Sequence, residues 1–299
     1  MARKKQSITG LDINGRYIAC AQSVPGDNLV TNVSIQLLTT ASSDYWYSVE
    51  ENFKELAEEA GLKGSLSVCS LPGDFAVIKV IAIDDEEEDV EDALGWELSQ
   101  HIIGSIDEYV FDYEKLEDAA QKRRYLVAGY KDSSVKRLVT LLKETKITPL
   151  VIDLDLFALI NVFEVNYPQQ LQAPALLIYG DEEKTRLILT KKGKFFDVDM
   201  IYYQDGTIPP QRYGEALQDT VSRMLKAHAI RSIEVPVFTT GTLFSFDDYT
   251  QAVSAYFPHA ELLYPFRNIQ CSAGMDDESL RKYAPQLAVA VGLTLRGND

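Results

Sequence analysis

Cysteine, histidine and long apolar runs are all scarce in this chain, and each scarcity removes a class of protein from consideration. Cys20, Cys69 and Cys271 stand far apart among 299 residues. An odd and scattered set builds no disulfide framework and suits a reducing compartment. His101, His228 and His259 are equally dispersed, and no Cys or His pair has metal-ligand spacing, so no metal site is expected from them. No stretch approaches the roughly 18 to 20 apolar residues that span a bilayer. The closing GLTLRGND is not a basic amphipathic anchor, so direct membrane insertion is not expected and any membrane association must come through a partner. The start, MARKKQSITG, has a basic cluster but no apolar core or cleavage signal, which predicts a chain that stays where it is made. Positive charge is short as well: Lys and Arg total 29 against 45 Asp and Glu, a formal charge of −16. Such a surface repels the phosphate backbone, so nucleic acid is not an expected partner.

What is present is apolar residue enough, 46% of the chain, to bury the core of one large two-lobed domain or two ordinary ones. The first half reads as strand, turn, strand over residues 7–23, a strand near Leu29 to Leu38, a helix from about Asp44 to Ala60, and a strand from Ser65 to Leu71. The second half opens in the same order: PALLIYG, TRLILT and FFDVDMIYY, a helix near Pro210 to Ala229, and a strand from Val235 to Thr240. Asn14-Gly15 and Lys192-Gly193 supply turn residues that tolerate positive φ. Each half thus predicts antiparallel strands followed by crossover helices, a mixed sheet per lobe with helices on its faces.

From about Ile83 to Thr145 the character changes. IDDEEEDVEDALGWELSQHI predicts a helix capped by Asp84 or Asp85, with an acidic first turn that complements the helix dipole. Val90, Ala93, Leu94, Leu98 and Ile102 fall at helical spacing. EYVFDYEKL and RRYLVAGY then read as strands, and SSVKRLVTLLKET as an amphipathic helix. A compact inserted α/β subdomain follows. The expected division is a first lobe of residues 1–82 plus 146–172, an insert of 83–145 and a second lobe of 173–299.

In order, GLDINGRYIACAQS, SLPGDFAVIKVI, ALGWELSQHIIGSIDEYVFDYEKL, VIDLDLFALINVFE, TLFSFDDYTQAVSAYFPHAELLYPFRNI and YAPQLAVAVGLTLR resemble segments of the PilM proteins of type IV pilus assembly platforms. No piece is decisive alone; the ordered spacing carries the resemblance. It implies an α/β, actin-like (ribonuclease H-like) duplicated two-lobed fold, related to FtsA, with an inserted small α/β subdomain. It further implies a cytoplasmic chain peripheral to the inner membrane. The family's cleft binds ATP, and a groove between the first lobe and the insert holds the short cytoplasmic N-terminal peptide of PilN.

By that resemblance the nucleotide-site positions are Asp12, Asn14, Gly15, Gly180, Thr185 and Gly241. A phosphate-binding hairpin needs small residues whose backbone N–H groups reach the phosphates, and an Asp to orient hydrated magnesium. Asp12 is kept, but the small residues after it have become Asn14, Gly15, Arg16 and Tyr17. In the second hairpin an Asp-x-Gly has become Ile178, Tyr179, Gly180, with Asp181, Glu182 and Glu183 before Lys184 and Thr185. One inward carboxylate about 4 Å from a phosphate costs on the order of 4 kcal/mol at an effective dielectric of 20, several hundred-fold in affinity. The third turn has Thr240 at its first glycine position and keeps Gly241. The expectation is a degenerate site, with no catalytic residue and no cofactor. ATP and magnesium remain the alternative, with slow hydrolysis. The glycines also sit where tight turns alone need them.

Weight therefore moves to the peptide groove. Its candidates are Lys79, Trp96 and the alternating Tyr109, Phe111 and Tyr113, which share one strand face and also read as the insert's own core. The partner implied is a PilN-like inner-membrane protein, with self-association left open. Two rivals stand beside this scaffold. A phosphotransferase of the same superfold would draw its carboxylate from Asp12, Asp153 or Asp155, and a filament former would assemble with ATP.

Overall fold

The computed structural model describes residues 7–24, 26–38, 45–71, 76–116, 122–181, 183–203, 208–231, 235–272 and 274–296. β1 (Ile8–Ile13) and β2 (Tyr17–Ser23) form a hairpin, and β3 (Leu29–Leu37) pairs antiparallel with β2. Helix α1 (Tyr45–Glu59) then carries the chain across to β4 (Leu66–Ser70), which lies parallel to β1. The second half repeats this plan. β9 (Ala175–Gly180), β10 (Lys184–Lys191) and β11 (Lys194–Tyr202) run antiparallel, and α5 (Pro210–Ala227) leads to β12 (Val237–Thr240), parallel to β9. The duplicated two-lobed architecture read from the sequence is the one observed.

Turn chemistry explains one hairpin as expected and the other differently. Lys192 and Gly193 take φ of 55° and 73°, the left-handed pair that a tight hairpin requires. Asn14 and Gly15 do not adopt positive φ; instead the Asn14 side chain accepts the Arg16 N–H at 3.1 Å and closes the turn locally.

The lobe limits differ from those the sequence suggested. β5 (Ala76–Asp84), β6 (Tyr109–Lys115) and β7 (Lys122–Lys131) make a three-stranded sheet in the order β5-β7-β6, so the insert starts at Ala76. Its helix α2 (Val90–Ser99) is capped by Asp89, which accepts the Asp92 N–H at 3.1 Å; Asp84 still belongs to β5 and cannot cap it. Helix α3 (Asp132–Glu144) leaves the insert, burying Leu138, Leu141 and Leu142 in the first lobe's core beside β8 (Thr148–Asp153). The end of the chain also returns to the first lobe. β13 (Glu261–Leu262) closes the second sheet after α6 (Asp247–Tyr256), but β14 (Gln270–Cys271) pairs with β3. Helix α7 (Asp277–Arg296) lies on β1, β2 and α4 (Asp155–Asn166).

The sheets are buried on both faces where the lobes meet. Along β9, Leu176 and Ile178 enter the second lobe's core under α5, while Leu177 and Tyr179 enter the main core beside α4 and α7. That two-sided burial is why ALLIYG is continuously apolar rather than alternating. The α4–α7 contact is so close that a β-carbon on Gly292 would overlap the carbonyl oxygen of Ala158, and α7 lies so close on β1 that one on Gly10 would overlap that of Ala290.

Gly292→Ala is therefore expected to cost about 3 kcal/mol, a Tm loss of roughly 5 °C in a thermal melt. Gly15→Ala, at a turn with open space around its α-carbon, should stay within about 0.5 kcal/mol of the parent.

Candidate functional site

The two repeated hairpins face each other across the cleft between the lobes, and side chains join them directly. Asn14 Nδ2, in the first turn, donates to the Tyr179 hydroxyl of β9 at 2.9 Å. At the rim, Arg16 lies 3.7 Å from Glu183, an exposed pair that adds little. Deeper down, Arg186 on β10 is ion-paired and hydrogen-bonded to Asp155 at the start of α4, with both side chains almost fully buried. Its guanidinium lies 5.6 Å from the Tyr179 ring centroid, over the ring. Burial would strip the guanidinium's proton, but the Asp155 carboxylate outweighs that by charge and hydrogen bond, and the pKa is raised.

Beside this pair Asp12 is buried at the end of β1, where Ser70 Oγ on β4 donates to its Oδ1 at 3.0 Å. Burial, then the nearby Asp155, push its pKa up to about 7. Burial also raises the phenol pKa values of Tyr17 and Tyr179 well above the ordinary range, so both keep their protons. In the second turn Lys184 is buried, and desolvation followed by Arg186 lowers its ammonium pKa to about 7.

In each turn, side chains already engage backbone donors. The Asp181 carboxylate, whose pKa burial raises, accepts the N–H groups of Glu183 and Lys184 at 2.9 Å each, as Asn14 does that of Arg16. A phosphate entering between the hairpins would have to displace these side chains to reach the amides that such a site normally offers.

Of the residues predicted for a nucleotide site, the cleft gathers only some. Asp12 and Asn14 lie at the hairpin contact, while Gly15 stands at the exposed turn tip. Glu182 lies outside the described residues. Gly180 and Gly241 touch each other: Gly241, at φ 99°, sits where a β-carbon would overlap the Gly180 carbonyl oxygen, and its N–H donates to Pro285 O at 3.2 Å. Thr185 turns away, its hydroxyl sharing hydrogen bonds with the Tyr203 and Tyr213 hydroxyls at 2.5 and 3.2 Å. Among the described residues no three His, Cys, Asp or Glu side chains are grouped to hold a metal ion. Sequence reasoning missed Arg186 and the bridging role of Tyr179. The available signal was a lone arginine inside the apolar TRLILT strand, which needs a buried counter-charge.

The groove candidates occupy the other side of the insert from the one expected. Tyr125 and Val127 of β7 point into a small core under α2, whereas Leu126 and Tyr130 point into the first lobe's core. Phe111 packs in the α2 core, its ring against Gly95 of α2 and its β-carbon against Gly129 of β7. Tyr113 stands edge-on to Tyr125 at 5.7 Å. By strand alternation Tyr109 follows Phe111 and Lys79 follows Ile81, so all four lie on the α2 side. Trp96 points outward from α2, 65% exposed. The side of the insert turned to the first lobe carries Val110 and Asp112, paired with Tyr130 and Ala128. The Tyr130 hydroxyl donates to Asp153 O at 3.3 Å, at the end of β8. That strand is an outer edge of the six-stranded sheet, and it leaves Leu150 and Val151 partly exposed.

The sequence family described as type IV pilus assembly protein PilM matches over residues 31–176. Among solved structures, the PilM-PilN type IV pilus biogenesis complex contains a chain that superposes with a TM-score of 0.80 at 18% identity, covering 98% of each chain. A protein of actin-like ATPase fold and unknown function from Bacteroides thetaiotaomicron gives 0.55 at 12%, over 97% of this chain and 96% of that one. The cytoplasmic domain of EpsL, an inner-membrane component of the Vibrio cholerae type II secretion system, gives 0.50 at 10%, over 79% and 82%. No curated protein sequence matches.

Removing Arg186 alone leaves Asp155 buried without its counter-charge. Arg186→Met should cost about 3–5 kcal/mol by chemical denaturation, and Arg186→Met with Asp155→Leu should recover most of that loss. For Asp12 the folded pKa of about 7 exceeds the ordinary aspartate value of 3.8. The folded state then holds a proton that the unfolded chain releases, so this group's contribution to stability falls as pH rises from about 4 to 7 and levels off above. Asp12→Asn should raise Tm by about 5 °C at pH 8 and by almost nothing near pH 4.

Proposed function

We propose, from the premise that this PilM-like chain has an actin-like ATPase fold, that it is a cytoplasmic scaffold of a type IV pilus or related secretion assembly platform. It binds the short N-terminal peptide of a PilN-like inner-membrane protein and carries a degenerate nucleotide site. The observation that carries the reading is the whole-chain superposition on the PilM-PilN complex, a partnership we extend from that protein to this one. Among the described residues no helix is long and apolar enough to cross a membrane, in keeping with attachment through a partner.

The peptide's seat in this reading is the groove between the lobe-facing side of the insert and the free edge of β8. Val110 is 45% exposed there and Leu150 47%. An extended peptide can hydrogen-bond to an edge strand while its alternate side chains enter such a groove. Support for the degenerate cleft comes from the two turns: Asn14 and Asp181 hold their backbone donors, and Asn14–Tyr179 and Arg186–Asp155 make the lobe-to-lobe connection that nucleotide phosphates would otherwise make.

Titration calorimetry tests both halves. N-terminal peptides of PilN-like proteins should bind, with about tenfold weaker affinity after Val110→Glu or Leu150→Glu. ATP with magnesium should give no heat of binding. Micromolar ATP binding would remove the degenerate-site claim, and affinity indifferent to both groove substitutions would remove the groove.

A further inference from the structure

Turned away from the first lobe, α2 shows solvent a face that none of the functions above uses. Leu94 and Leu98 point into the insert's core, which leaves Asp89, Asp92, Trp96 and Gln100 in one outward row at helical spacing. Ile103 follows just beyond the helix end. Trp96 is 65% exposed and Ile103 88%. A small helix gains nothing for its own fold by holding an indole and a butyl group in water, and paired apolar exposure of this kind marks a contact surface.

The charge around these groups decides what can cover them. Eight exposed acidic residues lie between Asp84 and Asp92. Lys122 and Arg123 reach Asp84 and Asp85, at 3.3 and 3.9 Å, and Arg123 also donates to the Asp84 and Glu87 carbonyls. Among the described residues Glu88, Glu91 and Asp92 enter no ion pair. The face is thus apolar at its centre and negative at its rim, with Lys122 and Arg123 engaged at Asp84 and Asp85 and the charges nearest Trp96 left unpaired among the described residues. An anionic lipid surface or a nucleic acid is repelled by it, and so is a second copy of a chain with charge −16.

We propose that the α2 face from Asp89 to Ile103 docks a basic, apolar-faced helical segment of another protein. Its Lys or Arg side chains would lie over the Trp96 ring and against Glu88 and Asp92, and its aliphatic side chains against Ile103. This face and the groove lie on opposite sides of the same three-stranded sheet, so the two can be occupied together. The inference stands whether or not the groove takes a PilN-like peptide.

The probe is a helical Leu/Lys peptide, with a Leu/Glu peptide of the same pattern as control. Trp46 and Trp96 are the chain's two tryptophans, so a Trp46→Phe background reports Trp96 alone by fluorescence. The basic peptide should bind with a blue shift of Trp96 emission. Trp96→Ala should weaken it about tenfold, and Glu88→Gln with Asp92→Asn about threefold or more, with Tm unchanged. Glu58→Gln with Glu59→Gln on α1, which removes the same charge elsewhere, should leave affinity as it was. Failure of the basic peptide to bind, equal binding of the acidic one, or equal losses from the two charge-removing pairs would overturn the proposal. So would Trp96-dependent binding to phosphatidylglycerol vesicles, or Trp96-dependent self-association in sedimentation. PilN-like peptides, bound on the other side of the sheet, should leave Trp96 emission unmoved.

Discussion

The ion pair between Arg186 and Asp155 is the constraint around which the cleft is built. Each charge is carried by a different lobe, and both are withdrawn from water. A buried charge without its partner is far more costly than a surface one, so the lobes are held at the separation that lets the two groups meet. The neighbours follow from that placement. Tyr179 is drawn under the guanidinium, its hydroxyl comes within reach of Asn14, and the two hairpin turns become bonded to each other. The polypeptide thus joins the two turns itself.

The same junction is reinforced by packing. Helices α4 and α7 run close enough that Gly292 and Ala158 touch backbone to backbone, and the main core continues from the first sheet through these helices to Leu177, Ile188 and Phe238 of the second. The main core is thus common to both lobes, while the second lobe keeps a further core of its own under α5. The insert adds a small core of its own and two differently furnished faces.

Much of this was legible in the sequence because periodicity and order survive divergence. The βββαβ plan appeared twice, the turn residues Lys192-Gly193 did what their type allows, and Asp12 and Asn14 were correctly placed at the hairpin. What was not legible depends on which side of a strand faces which neighbour. Tyr109, Phe111 and Tyr113 were rightly put on one face, but alternation alone does not say whether that face looks at α2 or at the first lobe. The packing of Phe111 against Gly95 of α2 shows which, and that contact exists only once the strands are paired and α2 is laid on them. Arg186 was hidden for a related reason. Its partner Asp155 is 31 residues away, on the far side of a cleft, and no local pattern links them. The limits of the lobes were misjudged because a helix that returns to an earlier sheet looks, in one dimension, like the end of the later one.

That returning helix has a consequence for how the protein is made. Val289, Ala290 and Leu293 of α7 complete the core around β1 and α4, yet they are the last part of the described chain to be synthesised. The first lobe therefore emerges early and must wait, with one side of its sheet uncovered, until the second lobe has been translated. Long-range closure of this sort is slow and leaves apolar surface exposed in the interval. A nascent chain of this design depends on protection during translation more than a chain whose domains finish in the order they are made.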